Sequence, residues 1–334
     1  MTHLTAKRIF ITGATGFLGG CLAPRLVAEG AHVVALARSE VKAATLKEQG
    51  IETISGDLLD LDSLRRGMRD CQIVIHMAAA VDGSYDEMYP ATVTGTQNVM
   101  NAAADIGVRR VVHVSSIAVY GLLARSLYAE DTPLARAEYP YITTKQLAEE
   151  KVKQIGADRQ LEWAIIRPGM IYGPRAGLWT KGLFQLASLR PTPFIGDGSG
   201  NAAPIYVDDV VEMLVRAAAS DRAINQIFNC VMDPPPTWRE FIGVYQRLAQ
   251  HSTWLSIPIS PVYAAAAAIM LFAPRKTVLR DLPDGLNWLT HKKRYPMDKS
   301  RLLLGWEPQI SLDEGIARCA EWLRTTRLLP VITG

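Results

Sequence analysis

Tyr141 and Lys145 stand four residues apart within a helical pattern of apolar residues, so their side chains share one face. An ammonium close to a phenol favours the phenolate and lowers its pKa from roughly 10, which suits a tyrosine exchanging protons with a substrate hydroxyl. Such a pair also recurs by chance on exposed helices. Its neighbourhood is what raises its weight. Ser115 and Ser116 close a β-branched run ahead of it, and binding crevices of parallel sheets lie at the carboxyl ends of strands.

Gly13, Gly16 and Gly19 supply the second element of chemistry, following the apolar run from Arg8 and opening an amphipathic segment. Gly13 permits a tight turn, Gly16 lets backbone approach a pyrophosphate, and Gly19 lets the helix pack close to the sheet. The N–H groups of the helix's first turn then face the anion. The spacing is GxxGxxG rather than GxGxxG, so a glycine turn serving packing alone stays open at this point.

Elements able to position these groups alternate through the first half of the chain. Strands are expected at 8–12, 32–37, 52–55, 73–76, 111–115 and 163–167, and helices at 18–29, 61–68, 88–106 and 141–155. Gly30 and Gly107 fall where helix C-caps belong. The alternation predicts an α/β fold with a doubly wound parallel sheet. After Pro168 it weakens and helical stretches take over, at 208–219, 237–250 and 312–324, the second opened by a Thr237 to Glu240 capping box. The expected division is a dinucleotide-binding domain at 1–170 joined by about 203–230, and a smaller, mostly helical substrate domain at 171–202 and 231–334.

The 334 residues are 49% apolar and 21% charged, with a net charge of +3, an ordinary soluble composition without the basic stripe that nucleic acid requires. Lys292, Lys293 and Arg294 read as a solvated turn. Cys21, Cys71, Cys230 and Cys319 lack metal-site or disulfide spacing and read as reduced and mostly buried. No metal is expected. Without a basic-then-apolar leader, and with a longest apolar run of about twelve residues, the chain is expected to be cytoplasmic with no membrane span.

Taken in order, the motifs resemble the extended short-chain dehydrogenase/reductases, the NAD-dependent epimerase/dehydratase superfamily, over nearly the whole chain. They are Thr12-Gly-Ala-Thr-Gly-Phe-Leu-Gly19, Gly56-Asp-Leu58, His76-Met-Ala-Ala79, Ser115-Ser116 with Val119-Tyr-Gly121, Tyr141-Ile-Thr-Thr-Lys145, Arg167-Pro-Gly-Met-Ile-Tyr-Gly-Pro174 and Val207-Asp-Asp209. The resemblance implies a Rossmann-type sheet and a catalytic set of Ser116, Tyr141 and Lys145. Tyr141 is then the acid/base, Lys145 holds the nicotinamide ribose and depresses the phenol's pKa, and Ser116 hydrogen-bonds the substrate oxygen. For the cofactor it implies Gly13, Thr15, Gly16, Phe17 and Leu18 at the turn, Asp57 and Leu58 at the adenine, Ala78, Ala79 and Ala80 along the central stretch, and Pro168 and Ile171 at the nicotinamide. Thr92 stands where relatives often carry an Asn, a departure that argues against an Asn-based proton relay.

Outside the family frame, the alternative for Asp57 is a helix cap or turn carboxylate. His76 reads as a core residue, Asp208 and Asp209 as helix-starting acids, and Trp179, Trp238, Trp288 and Trp306 as packing residues. The second strand ends with Ala37 in the slot where NAD enzymes place a carboxylate, and Arg38 follows, which favours NADP over NAD. Ala202 takes the slot where epimerases of the family carry a phosphate-binding arginine, with Arg175, Lys181 and Arg275 as substitutes. The apolar stretch 262–272 either walls a pocket for a hydrophobic small-molecule substrate or serves as core or as a homodimer contact. The expected activity resembles hydroxysteroid dehydrogenases and dihydroflavonol reductases. Nucleotide-sugar epimerase or dehydratase is the alternative, and a non-catalytic NADP-binding regulator is the second.

Overall fold

Short Val- and Ile-rich runs that must be covered on both faces form parallel strands, and those at Arg8–Thr12, His32–Ala37, Ile73–His76 and Arg110–Val114 are each followed by a helix. The computed structural model describes residues 4–121, 125–135, 139–272 and 282–329. The first half comprises β1 (Arg8–Thr12), α1 (Phe17–Ala28), β2 (His32–Ala37), α2 (Glu40–Glu48), β3 (Glu52–Ser55), α3 (Leu61–Met68), β4 (Ile73–His76) and α4 (Tyr85–Tyr89). A π-helical segment, Pro90–Thr94, leads into α5 (Gly95–Ile106), followed by β5 (Arg110–Val114), α6 (Pro140–Asp158) and β6 (Glu162–Pro168). Then come β7 (Met170–Tyr172), α7 (Leu183–Ala187), β8 (Thr192–Ile195), β9 (Pro204–Tyr206), α8 (Val207–Ala219) and β10 (Gln226–Cys230). The chain continues through α9 (Trp238–Leu248), β11 (Trp254–Ile257), α10 (Ile259–Phe272), α11 (Leu282–Thr290), α12 (Asp298–Leu304) and α13 (Leu312–Thr325).

Seven parallel strands form one sheet in the order β10-β6-β5-β4-β1-β2-β3. The order reverses between β1 and β4, and their carboxyl ends therefore frame the crevice of a doubly wound sheet. Alternate residues feed two cores: Ile9, Ile11, Ile75 and Val112 on one face, Phe10, Val34, Val74 and Val111 on the other. Two further pairs, β8 with β11 and β7 with β9, stand apart from this sheet.

The expected strands and helices of the first half are present with small shifts at their ends. The α2 helix was not expected, since only Leu46 of its nine residues is buried and it shows no apolar face. Gly107 caps α5 in the left-handed conformation, and Thr237 and Glu240 form the expected capping box. The apolar stretch 262–272 lies within α10, whose side chains from 266 onward are outside the described residues. No described helix is long and apolar enough to cross a membrane.

Candidate functional site

At the carboxyl end of β1 the chain turns through Gly13, whose φ of +78° a side chain rarely adopts. A Cβ at Gly13 would meet the Ala78 nitrogen at 3.0 Å, and one at Gly19 would collide with the Gly13 carbonyl oxygen at 2.2 Å. Backbone therefore lies against backbone where β1, α1 and the 77–80 stretch meet. Gly16 caps α1 without a side-chain hydrogen bond, leaving the first-turn N–H groups beside Thr15, Phe17 and Leu18 open to an anion.

His76 braces the adjoining stretch. Its Nδ1 lies 2.7 Å from the Thr12 hydroxyl and its Nε2 3.0 Å from that of Thr96. Thr12 also accepts from the Ala78 N–H at 3.3 Å, and Thr92 from the Ala80 N–H at 3.1 Å. Burial, reinforced by the Lys145 charge, pushes His76 down to about 3, so the ring is neutral and acts as a strut, the core role expected of it. Thr92 thus has a task of its own, holding Ala80 in place. Ala78, Ala79 and Ala80 leave the sheet partly exposed along the crevice.

Arg38, at the end of β2, is 80% exposed, and its guanidinium stands 3.7 Å from the Asp57 carboxylate. Asp57 also accepts from the Leu59 N–H at 2.9 Å, a local turn bond, while Asp60 rather than Asp57 caps α3. The Leu58 carbonyl is held by the Asn98 side chain at 3.0 Å. These residues form one rim of the crevice.

Tyr141, Lys145 and Ser116 form the other side. Pro140 opens α6, which places Tyr141 in its first turn and Lys145 one turn on. The Lys145 ammonium donates to the Val114 carbonyl at 3.0 Å, and burial lowers it to about 8 although Glu149, a further turn along, pulls it up. Ser116 accepts from the Ala118 N–H at 3.1 Å, and its hydroxyl lies near enough to the Tyr141 phenol to favour the phenolate. The phenol's pKa is raised, because burial outweighs the opposing effect of Ser116. This corrects the expected lowering by Lys145, whose charge is turned onto the end of β5. Beneath them His113 lies 5.2 Å from His76, its ring nitrogens without partners among the described residues. Between Pro168 and Ile171 lies Gly169, where a Cβ would meet the Ala203 carbonyl oxygen at 2.1 Å.

Several residues near the site were not anticipated. Arg167 and Glu149 form a fully buried, two-pronged pair at 2.8 and 2.7 Å, clamping the end of β6 to the helix that carries Tyr141 and Lys145. The sequence signal was the helical stripe 141, 145, 149. Asp209 does more than start α8: its buried carboxylate accepts from the Gln309 and Ile310 N–H groups at 2.9 and 3.2 Å, while Asp208 pairs with Arg318 at 3.1 Å. Lys293 departs from the expected solvated turn. Its backbone is anchored to Asn201, and its ammonium is buried 3.9 Å over the Trp288 ring, donating to the Trp288 carbonyl. Lys292 and Arg294 remain exposed.

Of the tryptophans, Trp238 packs edge-on against Trp288 at 5.4 Å, and Trp306 donates to the Asp209 carbonyl at 3.1 Å. Trp179 packs against the core, and its carbonyl accepts from Tyr245 at 2.7 Å. Ala202 is buried in the core and donates its N–H to the Pro236 carbonyl at 2.8 Å, so no charged group stands at that position. Arg175 lies over α1, Lys181 is exposed, and Arg275 falls outside the described residues. Cys71, Cys230 and Cys319 are buried and Cys21 is partly so.

Residues 9–230 match the model of the NAD dependent epimerase/dehydratase family. The chain is 31% identical over 336 residues to a UDP-glucose 4-epimerase of Mycolicibacterium smegmatis, covering 95% of this chain and 98% of that one. It is 28% identical over 329 residues to a 2-alkyl-3-oxoalkanoate reductase of Stenotrophomonas maltophilia, covering 93% and 98% respectively. Among solved structures, the epimerase Mth375 of Methanothermobacter thermautotrophicus aligns at a TM-score of 0.78 over 97% of this chain and 94% of that one, with 24% identity.

Proposed function

The chain belongs to the NAD-dependent epimerase/dehydratase family, and from that premise we propose an NADP-dependent oxidoreductase that interconverts a hydroxyl and a carbonyl on a hydrophobic small molecule. The observation that carries this reading is the meeting of Tyr141 and Ser116 at the crevice between β1 and β4, with Lys145 one turn below.

The glycine cradle fits a dinucleotide, since side chains at Gly13 and Gly19 would collide with backbone and the cap at Gly16 leaves donors facing outward. Gly13, Thr15, Gly16, Phe17 and Leu18 would hold its pyrophosphate, Asp57 and Leu58 its adenine, and Ala78 to Ala80 its central stretch. Lys145 would hold the nicotinamide ribose, with Pro168 and Ile171 at the ring. Arg38 favours NADP: it is exposed, loosely paired, and follows Ala37 where a carboxylate would repel a 2′-phosphate. When bound, the dinucleotide supplies or accepts hydride.

In the reducing direction Tyr141 donates its phenolic proton to the substrate oxygen, because burial keeps the phenol protonated near neutrality. Ser116 donates to the same oxygen as charge develops there. In the oxidising direction the proton returns to Tyr141. Glu149 and Arg167 hold the helix carrying Tyr141 against the sheet. Residues 1–170 with about 203–230 would bind the dinucleotide, and 171–202 with 231–334 the substrate.

The apolar substrate is supported by Ala202, buried and uncharged where a sugar nucleotide's phosphates would need a cation. Likeness to the 2-alkyl-3-oxoalkanoate reductase agrees with it. Identity with the UDP-glucose 4-epimerase favours the second reading, a nucleotide-sugar epimerase or dehydratase. NADPH oxidation is to be followed with a panel of apolar ketones, and binding of UDP- and dTDP-sugars by calorimetry with NADP present. Turnover of ketones supports the proposal. A low-micromolar nucleotide-sugar dissociation constant without ketone turnover replaces it with the second reading.

A further inference from the structure

We propose that Glu149 is a positioning residue shared by two cations, Arg167 and Lys145, and that its charge keeps Lys145 an ammonium while the dinucleotide's ribose hydroxyls are bound. The inference rests on the role given to Lys145 above.

Glu149 is fully buried and stands four residues after Lys145, so both lie in the interior on one face of α6. Both of its carboxylate oxygens accept from Arg167, Oε1 from Nε at 2.8 Å and Oε2 from Nη2 at 2.7 Å. The guanidinium is itself fixed, donating from Nη1 to the Glu130 carbonyl at 3.1 Å and lying 4.8 Å over the Tyr120 ring. The carboxylate is thereby held one helical turn from the ammonium.

Nothing else around Lys145 compensates its charge. The Val114 carbonyl takes one of its three N–H donors. Burial keeps His76 on β4 and His113 on β5 neutral, and Tyr141 on α6 protonated. Ser115 and Ser116 carry no charge, and Arg167 on β6 is a like charge. Among the described residues Glu149 is the one anion acting on Lys145. Burial alone favours the neutral amine, whereas an anion within about 4 to 6 Å favours the ammonium by about one to three pH units. A neutral amine would offer the ribose only uncharged hydrogen bonds, roughly half as strong. The two halves of the buried pair therefore act on Lys145 in opposite senses, the carboxylate retaining its proton and the guanidinium repelling it.

That opposition separates this role from a clamp alone. Fluorescence titration of NADPH between about pH 6 and 10 locates the midpoint at which affinity falls as Lys145 loses its proton, and Lys145→Met shows whether the fall belongs to that residue. In wild type the midpoint is expected near about 8. Glu149→Gln should lower it by about one pH unit or more, and Arg167→Gln should raise it. The double variant Glu149→Gln/Arg167→Gln should fall between Glu149→Gln and wild type, since the nearer charge dominates. Each single variant leaves one buried charge unpaired, whereas the double variant leaves none, so a double-variant midpoint below wild type carries the test where a single variant does not fold. Midpoints unchanged or moved the same way in both single variants, no fall in wild type, or a fall that persists in Lys145→Met overturns the inference while leaving the dinucleotide reading intact. Failure of the wild-type protein to bind NADPH at any pH overturns both.

Discussion

Tyr141 and Ser116 are near neighbours, whereas Lys145 is turned onto the Val114 carbonyl, so in the proposed reaction the proton chemistry falls to the phenol and the serine hydroxyl, and the ammonium is left to bind and orient. Removing the phenolic oxygen therefore removes the proton donor with little effect on dinucleotide affinity. Tyr141→Phe is expected to lower turnover roughly a hundredfold or more while NADPH binding changes less than about twofold. Activity above about a tenth of wild type, measured in steady state with a titration alongside, would take the acid/base role from Tyr141. At the other rim, Arg38→Asp places a second carboxylate beside Asp57, repelling a 2′-phosphate while accepting from a free 2′-hydroxyl. Its KM for NADP should rise and that for NAD fall. Identical KM values in variant and wild type would remove Arg38 from the cofactor site.

The element that sets the crevice is α1, and its distance from β1 depends on Gly19. A Cβ there would lie 2.2 Å from the Gly13 carbonyl oxygen and 2.6 Å from the Ala14 Cα, both backbone atoms that cannot swing away. Alanine is the better helix former by roughly 1 kcal/mol, so intrinsic propensity predicts that Gly19→Ala stabilises. The collision should win, lowering the melting temperature and abolishing dinucleotide binding together. A variant that melts at or above wild type and still binds NADPH would show that the turn relaxes. This turn was legible because glycine spacing and β-branched runs are local signals, and the same holds for Tyr141 and Lys145, whose i,i+4 spacing needs no knowledge of the rest of the fold. The α2 helix was not legible, since burying one residue of nine leaves no periodic face to read. Nor were β7 and β9, which at three residues are too short to show alternation. Asp208 and Asp209 are adjacent and identical in type, and only the arrival of residues 309 and 310 distinguishes the exposed acid from the buried one.

Across the whole molecule, the largest departure from the sequence reading is a charge moved from surface to interior. In the run Lys292-Lys293-Arg294 nothing local marks the middle residue, yet Lys293 is 2% exposed because its backbone N–H is tied to Asn201 and its ammonium lies against the Trp288 ring. Burial without a carboxylate partner pushes its ammonium down from 10.5 to about 7. Between those values the unfolded chain holds a proton that the folded chain has released, so stability attributable to Lys293 rises with pH, by up to about 1.4 kcal/mol per pH unit. Lys145, lowered to about 8, adds in the same direction from there upward. Above about pH 9 the buried thiols of Cys71 and Cys319, raised to about 11 and about 12, offset the two lysines, because the unfolded chain ionises first. The melting temperature of wild type should therefore climb between pH 7 and 9 and level off beyond. Lys293→Met keeps an unbranched stem and removes the titrating amine, so it should melt higher than wild type at pH 6 and 7 and climb less steeply towards pH 9. Thermal melts of both proteins across that range check this directly, and equal slopes would mean that Lys293 keeps its proton in the folded chain, stabilised by the Trp288 ring and carbonyl rather than penalised by burial.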